Sequence, residues 1–512
     1  MPRNPLHLPD NTPIIIGAGQ HVQRLASDAR PPFTPPAALA AAAAEKALAD
    51  ARMPAGDIDT ISMIRLFSDS APAWRSPFGG SNNLPESVAQ RLGAAPEQRI
   101  YSGSGGTEPL ERMREMLGDI ARGERTSVLL LGAEAIASER FAARNGFSDD
   151  WNETHDVPLD DRYRPGRFAL REEVDSGLKM PAHFYALIEN AQAHAMGHSP
   201  EAHRRHMAEL MAPLAAVAVD NPFTQKPTAY SAADLAATGD DNYPLALPLR
   251  KRLVAQDAVN QAAALVLTSV GNARAKGIDP RQWVFVTGYA EGEDRFLSQR
   301  EDPGLSVAMQ RVFAAALAMA DARAGDMHLL DLYSCFPCAV HAARLALELP
   351  GQGGVPLTVT GGLPYFGGPG NNYCMHALAE MVTQLRGSTA RGLVTANGGL
   401  LSRHAAAILT ADSAGAAALD WTQGPHVVLP ESIRALPLCA APASGAIVTS
   451  TVVARRGKAD VGVVLADTPG GRCLASTRDA EITRQLAQAD ACGRHIEFFE
   501  CENKRAFRFA SA

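Results

Sequence analysis

Hydrophobic positions in this chain fall into short, near-continuous apolar runs, separated by segments in which apolar residues recur at helical spacing. TPIIIGAG (12–19) reads as a strand ending in glycines, and PPAALAAAAAEKALADAR as a helix with proline at its start. IDTISMIRLF is a strand and LPESVAQRLG a short helix, and RIYSGSGGTEPLERMREMLGDIARGERTSVLLLGAEA then runs strand, glycine-rich elbow, helix and strand. Residues 136–250 differ: they are polar, contain His and Pro, and carry helices such as MPAHFYALIENAQAHAMG but few strand signals, which marks them as a large insertion. The alternation resumes with NQAAALVLTS, RQWVFVTGYAEG, the helix LSVAMQRVFAAALAMADA and the run HLLDLYSCFPCAVHAARLALEL. VPLTVTGG, the loop LPYFGGPGNN, the helix YCMHALAEMVTQLRG and the strands RGLVTANGG and HAAAILTA complete it.

Apolar runs of this kind, separated by helices, predict an α/β sheet covered on both faces. Two strand–elbow–helix units, one at Ser102-Gly103-Ser104-Gly105 and one at Tyr333-Ser334-Cys335-Phe336, predict a doubled architecture without a close internal repeat. HVVLPESIRALPLCAAPASG is a linker, and the alternating segments after it predict a small C-terminal antiparallel barrel. The expected division is residues 1–280 with 136–250 inserted, 281–415, and 425–512, each able to form its own core.

Composition changes this picture little: 46% hydrophobic and 20% charged residues are ordinary for a globular chain of 512 residues. A net charge of -7 without a broad basic face argues against nucleic acid as a partner. The small clusters HRRH (203–206) and LRKR (249–252) are either solvated helix faces or contacts to the phosphates of a nucleotide-like cofactor. The N-terminus lacks a secretory pattern and no apolar run reaches membrane-spanning length. Seven cysteines, an odd number in a large chain, fit a reducing compartment, so the expected location is the cytoplasm.

Three motifs carry candidate chemistry. Gly17-Ala18-Gly19 lacks the third glycine and the following helix of a dinucleotide fingerprint. Cys335-x-x-Cys338 has no second such pair, so no metal site is expected from it. Cys335 does stand where a strand turns into a helix, beside unpaired N–H groups that favour a thiolate; an inert buried cysteine is the alternative. GGLPYFGGPGNN (361–372) has the glycines that let a backbone approach a ligand closely.

The order DLYSCFP, GGLPYFGGPGNN before a helix, then TANGGLLSRHAAAI, resembles the carboxy-terminal half of thiolases, and the element order resembles theirs over roughly residues 10–412. The nearest likeness is to the sterol-carrier type and to thiolase-like protein type 1, which carries an extra C-terminal domain of OB type. The resemblance implies a thiolase fold, two similar five-stranded α/β halves in layers, with 136–250 as the loop domain that holds coenzyme A. It implies no bound cofactor beyond acyl-CoA as substrate or ligand, in a monomer or homodimer. The family's nucleophilic cysteine falls at the first elbow, where this chain has Ser102 and no cysteine. The family's Gly-His-Pro histidine falls on Gly368, and its His-Asp-Cys-Phe motif becomes Tyr333-Ser334-Cys335-Phe336.

Cys335, Tyr333 and Ser102 are thus the implied catalytic residues, with Cys335 facing Ser102 across the pocket. Ser104, Gly367, Gly368, Pro369, Asn371, Asn372, Asn397 and His404 would line the CoA pocket. The implied function is acyl-CoA handling of the acetyl-CoA acetyltransferase type with its usual nucleophile missing. The alternatives are a retro-aldol lyase acting on β-hydroxyacyl-CoA, since related aldolases carry a tyrosine at the position of Tyr333, and a non-catalytic acyl-CoA binder.

Overall fold

The computed structural model describes residues 8–510 apart from 165, 352, 414–420, 422–425, 456, 502 and 503. The first half runs β1 (Pro13–Val22), α1 (Pro36–Ala51), β2 (Thr60–Met63), α2 (Leu84–Leu92), β3 (Gln98–Tyr101), α3 (Glu108–Ala121), β4 (Ser127–Ala135) and α4 (Ile136–Asn145). The inserted segment follows with β5 (Asp160–Asp161), α5 (Arg171–Asp175), α6 (Pro181–Ala195), α7 (Pro200–Asp220), α8 (Ala232–Ala236), β6 (Pro244–Ala246) and β7 (Leu249–Arg250). The chain then returns through β8 (Asn260–Ser269) and α9 (Val270–Ala275). The second half comprises β9 (Phe285–Glu293), α10 (Val307–Met319), β10 (Leu329–Asp331), α11 (Pro337–Ala346), α12 (Tyr373–Leu385), β11 (Arg391–Gly398), β12 (Arg403–Thr410) and β13 (His426–Val427). The tail holds β14 (Ser444–Val453), β15 (Val461–Thr468), β16 (Gly471–Thr477), α13 (Ala480–Gln488), β17 (His495–Cys501) and β18 (Lys504–Phe509). No helix among the described residues is long and apolar enough to cross a membrane.

The first sheet has the order β1-β8-β4-β2-β3-β5 and the second β10-β11-β12-β9-β13, so β1, β8, β4 and β2 correspond to β9, β12, β11 and β10. The strands are buried on both faces, as near-continuous apolar runs require. Doubling extends to a shared irregularity: the β1/β8 register shifts between Ile15 and Gly17, and the β12/β9 register shifts opposite Gly288. At both glycines a helix backbone presses on the strand. A Cβ on Gly17 would lie 2.3 Å from Ala47 O and one on Gly288 2.3 Å from Ala316 O.

Matching strands also corrects the predicted pairing of elbows. The loop after β10, which holds Tyr333 and Cys335, corresponds to the loop after β2, not to the Ser102 elbow after β3. The segment that corresponds to β3, VPLTVTGG, has the apolar, β-branched composition of a strand but forms no ladder. The cause is Asp331, whose buried carboxylate accepts from the Val359 N–H (3.1 Å), the Thr360 N–H (3.1 Å) and both the Thr358 and Thr360 hydroxyls (2.8 and 2.9 Å). A side chain has taken the donors that a neighbouring strand would use.

The tail is an antiparallel sheet, β16-β15-β14-β17-β18, and no ladder between β16 and β18 closes it into the predicted small barrel among the described residues. β18 still lies beside β16, where Arg505 Nη1 donates to Cys473 Sγ (3.4 Å), but the edge of β16 pairs with the linker: Arg472 N–H donates to Pro437 O (2.8 Å) and Cys439 N–H to Arg472 O (2.7 Å). β14 also reaches into the insertion, where Val453 pairs with Ala246 of β6. One face of the tail forms its own small core around Val464, Ile496 and Phe507, while Val453, Val463 and Leu465 join the main core. The start of the third expected division, residue 425, lies outside the described residues, as does residue 415.

Replacing Gly17 or Gly288 by Ala is expected to cost roughly 1–3 kcal/mol or more by overpacking. Gly56→Ala, whose added Cβ meets nothing within 4 Å, should stay within about 0.5 kcal/mol of the parent. Thermal unfolding of the three variants checks this.

Candidate active site

The loop leaving β10 is held at both ends. Tyr333 N–H donates to Thr395 Oγ1 on β11 (2.9 Å), Leu363 N–H donates to Ser334 Oγ (3.1 Å), and Cys335 O accepts from Ala255 N–H (3.0 Å). Proline at the first position of α11 then starts a helix without a side-chain cap from Phe336. These ties aim Tyr333 and Cys335 into one buried cluster, each only 8% exposed.

Asn397 at the end of β11 joins them: its amide Nδ2 donates to Tyr185 Oη (3.2 Å) and approaches Cys335 Sγ (3.7 Å). Tyr185, on α6 of the insertion, stacks on Phe336 with ring centres 4.0 Å apart. Cys374 Sγ points to Gly106 O (3.5 Å), and a Cβ built on Gly106 would stand 2.4 Å from both Tyr333 Oη and Asn397 O. The first elbow therefore meets the second-half cluster at Gly106, where the Tyr333 phenol leaves no room for a side chain. Among the described residues no hydrogen bond to the Tyr333 hydroxyl is found, whereas the hydroxyls of Tyr373 and Tyr185 are engaged by Asp331 and by Asn397.

Electrostatics keep the cluster neutral. Burial pushes the Cys335 thiol up to about 12, and hydrogen bonds from Tyr185 and Asn397 only partly oppose this. Burial, and then the neighbouring thiols of Cys335 and Cys374, push the Tyr333 phenol well above its usual value. The helix start expected to favour a thiolate is already occupied: Glu189 Oε2 accepts from Cys338 N–H (2.7 Å) while Oε1 faces His203 Nε2 (2.8 Å). A carboxylate there spends the helix N-terminus and opposes a second negative charge.

The other predicted residues lie elsewhere or serve the scaffold. Ser102 does not face the cluster as a nucleophile, because its hydroxyl donates to Gly103 O (2.8 Å) and accepts from Arg65 N–H (3.0 Å). Ser104 Oγ is buried without a partner. Asn371 braces the two halves, accepting from Gly105 N–H (3.1 Å) and donating to Arg65 O and Ser70 Oγ (both 2.9 Å). Gly367 and Gly368 pack on residues 255–261: a Cβ on Gly367 would meet Gln261 Oε1 at 2.5 Å, and Gly368 N–H donates to Gln256 O (2.8 Å). Pro369 O accepts from Asn372 N–H (2.7 Å), and Asn372 lies over Gly132 with both amide atoms unpartnered. His404 is tied to Ser306 Oγ (2.9 Å), and burial pulls its imidazole down to about 3.

Two surface cavities, of about 160 and 570 Å³, border the tail, and neither is lined by Tyr333 or Cys335. The cluster is thus shut off from both. Tyr185, Gly106, Cys374 and Glu189 escaped the sequence reading. Glu189 left one signal, a lone carboxylate within the apolar run HFYALIENA. In HRRH the solvated-face alternative fails for His203, which is 1% exposed.

Cys335 should resist alkylation in the native protein at neutral pH while exposed Cys501 reacts, because the thiolate is the nucleophile and Cys335 is buried and held as a thiol. Peptide mass mapping after iodoacetamide, with and without denaturant, reads both.

No protein-family model matches the sequence, and neither does any curated protein. Among solved structures, the chain is similar to a monomeric SCP2-thiolase-like protein type 1 from Mycobacterium smegmatis, with 29% identity and a TM-score of 0.80 over 98% of this chain and 100% of that one. It also resembles an Ltp2–ChsH2(DUF35) aldolase, with 19% identity and a TM-score of 0.58 over 79% of this chain and 98% of that one. An acetyl-CoA acetyltransferase from Syntrophomonas wolfei has 16% identity and a TM-score of 0.56 over 78% of this chain and 99% of that one.

Proposed function

We propose that this chain, which has the thiolase-like fold, handles acyl-CoA and performs proton transfer at the thioester rather than covalent acyl transfer. Retro-aldol cleavage of a β-hydroxyacyl-CoA is the reaction class that suits it. The observation that carries this reading is the Tyr333 phenol, the hydroxyl in the cluster not engaged in a hydrogen bond among the described residues, standing against Gly106 where no side chain fits. In this scheme the minor ionised form of Tyr333 takes the β-hydroxyl proton and becomes the phenol, the bond between the α and β carbons breaks to leave a carbonyl at the β carbon, and the electron pair passes into the thioester enolate. The Asn397 amide and the neutral Cys335 thiol donate to the enolate oxygen, as an oxyanion site requires. The Tyr333 phenol then returns its proton to the α-carbon, which restores the phenolate. The acetyltransferase reading is the weaker one, because Ser102 is committed to the scaffold and Cys335 is held protonated.

A second reading, a non-catalytic acyl-CoA binder, is favoured by the same raised phenol and thiol, which leave no base ionised at neutral pH. In both readings Arg204, Arg250, Lys251 and Arg252 of the insertion supply cations for the CoA phosphates. Likeness to a protein described as monomeric supports a monomer. The tail, extended by β6 and β7, shapes the insertion that holds the ligand. Calorimetry with acyl-CoA tests ligand binding directly, and no heat and no thermal shift at millimolar ligand would remove both readings.

If Tyr333 is the base, Tyr333→Phe removes activity on a β-hydroxyacyl-CoA by roughly two to four orders of magnitude, while Cys335→Ser is mild. The parent rate should rise about tenfold per pH unit through the neutral range, since the ionised fraction of a group with a raised pKa grows that way. If acyl transfer or α-proton removal is the activity, Cys335→Ser is the damaging variant and acetoacetyl-CoA the substrate. A protein that binds but is inert toward both substrates is the binder.

A further inference from the structure

The seam between α6 and the tail gathers side chains that the Tyr333 cluster does not use. His194, at the end of α6, meets Asp490 and Cys492 in the turn between α13 and β17, and one ligand atom from each lies within 4.8 Å of the others. His194 Nδ1 is 2.6 Å from Asp490 Oδ2, Cys492 N–H donates to Asp490 Oδ1 (2.9 Å), and the Cys492 thiol donates to Val448 O (3.1 Å). Behind them is the cavity of about 160 Å³, on whose walls are Asn190, His198, His203, Arg204, Asp490 and Cys492. His203 gives an independent sign of an occupant: it is 1% exposed, its Nε2 is engaged by Glu189, and its Nδ1 is buried with no partner.

We propose that this seam binds a divalent transition metal of the zinc class through His194, Asp490 and the Cys492 thiolate, with the fourth position taken by a water held in the adjoining cavity. Imidazole, carboxylate and thiolate together select zinc, cobalt or nickel over calcium or magnesium. Ligand atoms around one tetrahedral zinc stand roughly 3.3–3.8 Å apart, as Zn–ligand lengths of about 2.0–2.3 Å dictate. Metal entry would break the His194–Asp490 contact, opening that 2.6 Å pair while the wider spacings, up to 4.8 Å, close, which the half-exposed His194 and Asp490 side chains allow. The cavity is large enough for a water, and His203 Nδ1 accepts its hydrogen. On binding, the metal–sulfur bond forms and the Cys492 proton leaves to solvent. Since one ligand comes from the insertion and two from the tail, the ion pins these segments together. The site does not rest on the Tyr333 cluster, although its cavity is also lined by Arg204 and Arg250, the cations that the acyl-CoA reading gives to the CoA phosphates.

Cobalt titration of chelator-treated, tag-free protein tests the site. One equivalent should give a near-ultraviolet thiolate-to-cobalt band with the visible bands of four-coordinate cobalt, and zinc should displace it. Cys492→Ser should abolish the band and weaken binding by at least ~100-fold, the upper end of the loss caused by removing even an outer-shell partner. His194→Ala, a surface change that the fold should tolerate, should weaken binding by at least about tenfold, and Cys501→Ser should leave it unchanged. Zinc should raise the thermal midpoint of the parent and not that of Cys492→Ser. A missing band at stoichiometric cobalt, or one that survives Cys492→Ser and disappears in Cys501→Ser, overturns the proposal.

Discussion

A carboxylate taken out of water has to be supplied with donors, and the second half of this protein is arranged around that demand at Asp331. Four donors from Thr358, Val359 and Thr360 converge on it, and the Tyr373 hydroxyl adds a fifth at 3.0 Å. Burial still pushes the Asp331 carboxyl upward, so these contacts only partly offset desolvation. The result is directional. Residues 358–362 are drawn beneath the sheet edge, α12 begins at Tyr373, and Tyr333, two residues beyond Asp331, packs edge-on against Tyr373 with ring centres 5.5 Å apart. The phenol at the centre of the cluster owes its place to a carboxylate that takes no part in chemistry.

Helix starts are often credited with activating cysteines, and α11 shows when they do not. The field at its first turn is real, but Glu189 from the insertion has already bonded to Cys338 N–H. Desolvation then decides the outcome, because no full positive charge within the cluster opposes it, and Cys335 stays a thiol. Neutral thiol, neutral phenol and amide together make a set of donors to oxygen. They do not make a nucleophile.

The apolar runs revealed the sheets, because strands buried on both faces have no polar alternation to mask them, and the Ala-rich stripe of α1 packs where its pattern requires. VPLTVTGG misled, since its composition is that of a strand and the competing acceptor, Asp331, lies some twenty-five residues earlier in the chain. Of the site, Cys335 stood out by its place at an elbow, whereas Tyr333 and Asn397 were marked only by the thiolase resemblance. Tyr185 was not, because an aromatic within an amphipathic helix reads as core until the opposing helix is known. Gly106 was hidden for a similar reason: its importance lies in the side chain that it lacks and in the phenol that fills the space.

The doubled topology shows how the two halves hold different side chains at one and the same turn. Through the matched strand registers, Met63 of β2 corresponds to Leu332, so Ile64 corresponds to Tyr333 and Arg65 to Ser334. In the first half this turn is a brace: Arg65 Nε donates to Ser102 O (2.8 Å), its guanidinium lies 4.2 Å from the Tyr101 ring centre and pairs with Asp161. That clamp fixes the elbow after β3, and the elbow in turn sets Gly106 against Tyr333. In the second half the same backbone turn is held by Thr395 and Leu363, which bond to its main chain and to Ser334 and leave the Tyr333 and Cys335 side chains free to face inward. A scaffold built twice has thus put a guanidinium clamp at this turn in one copy and a phenol and a thiol in the other, and they meet where a glycine lets a phenol stand against the backbone.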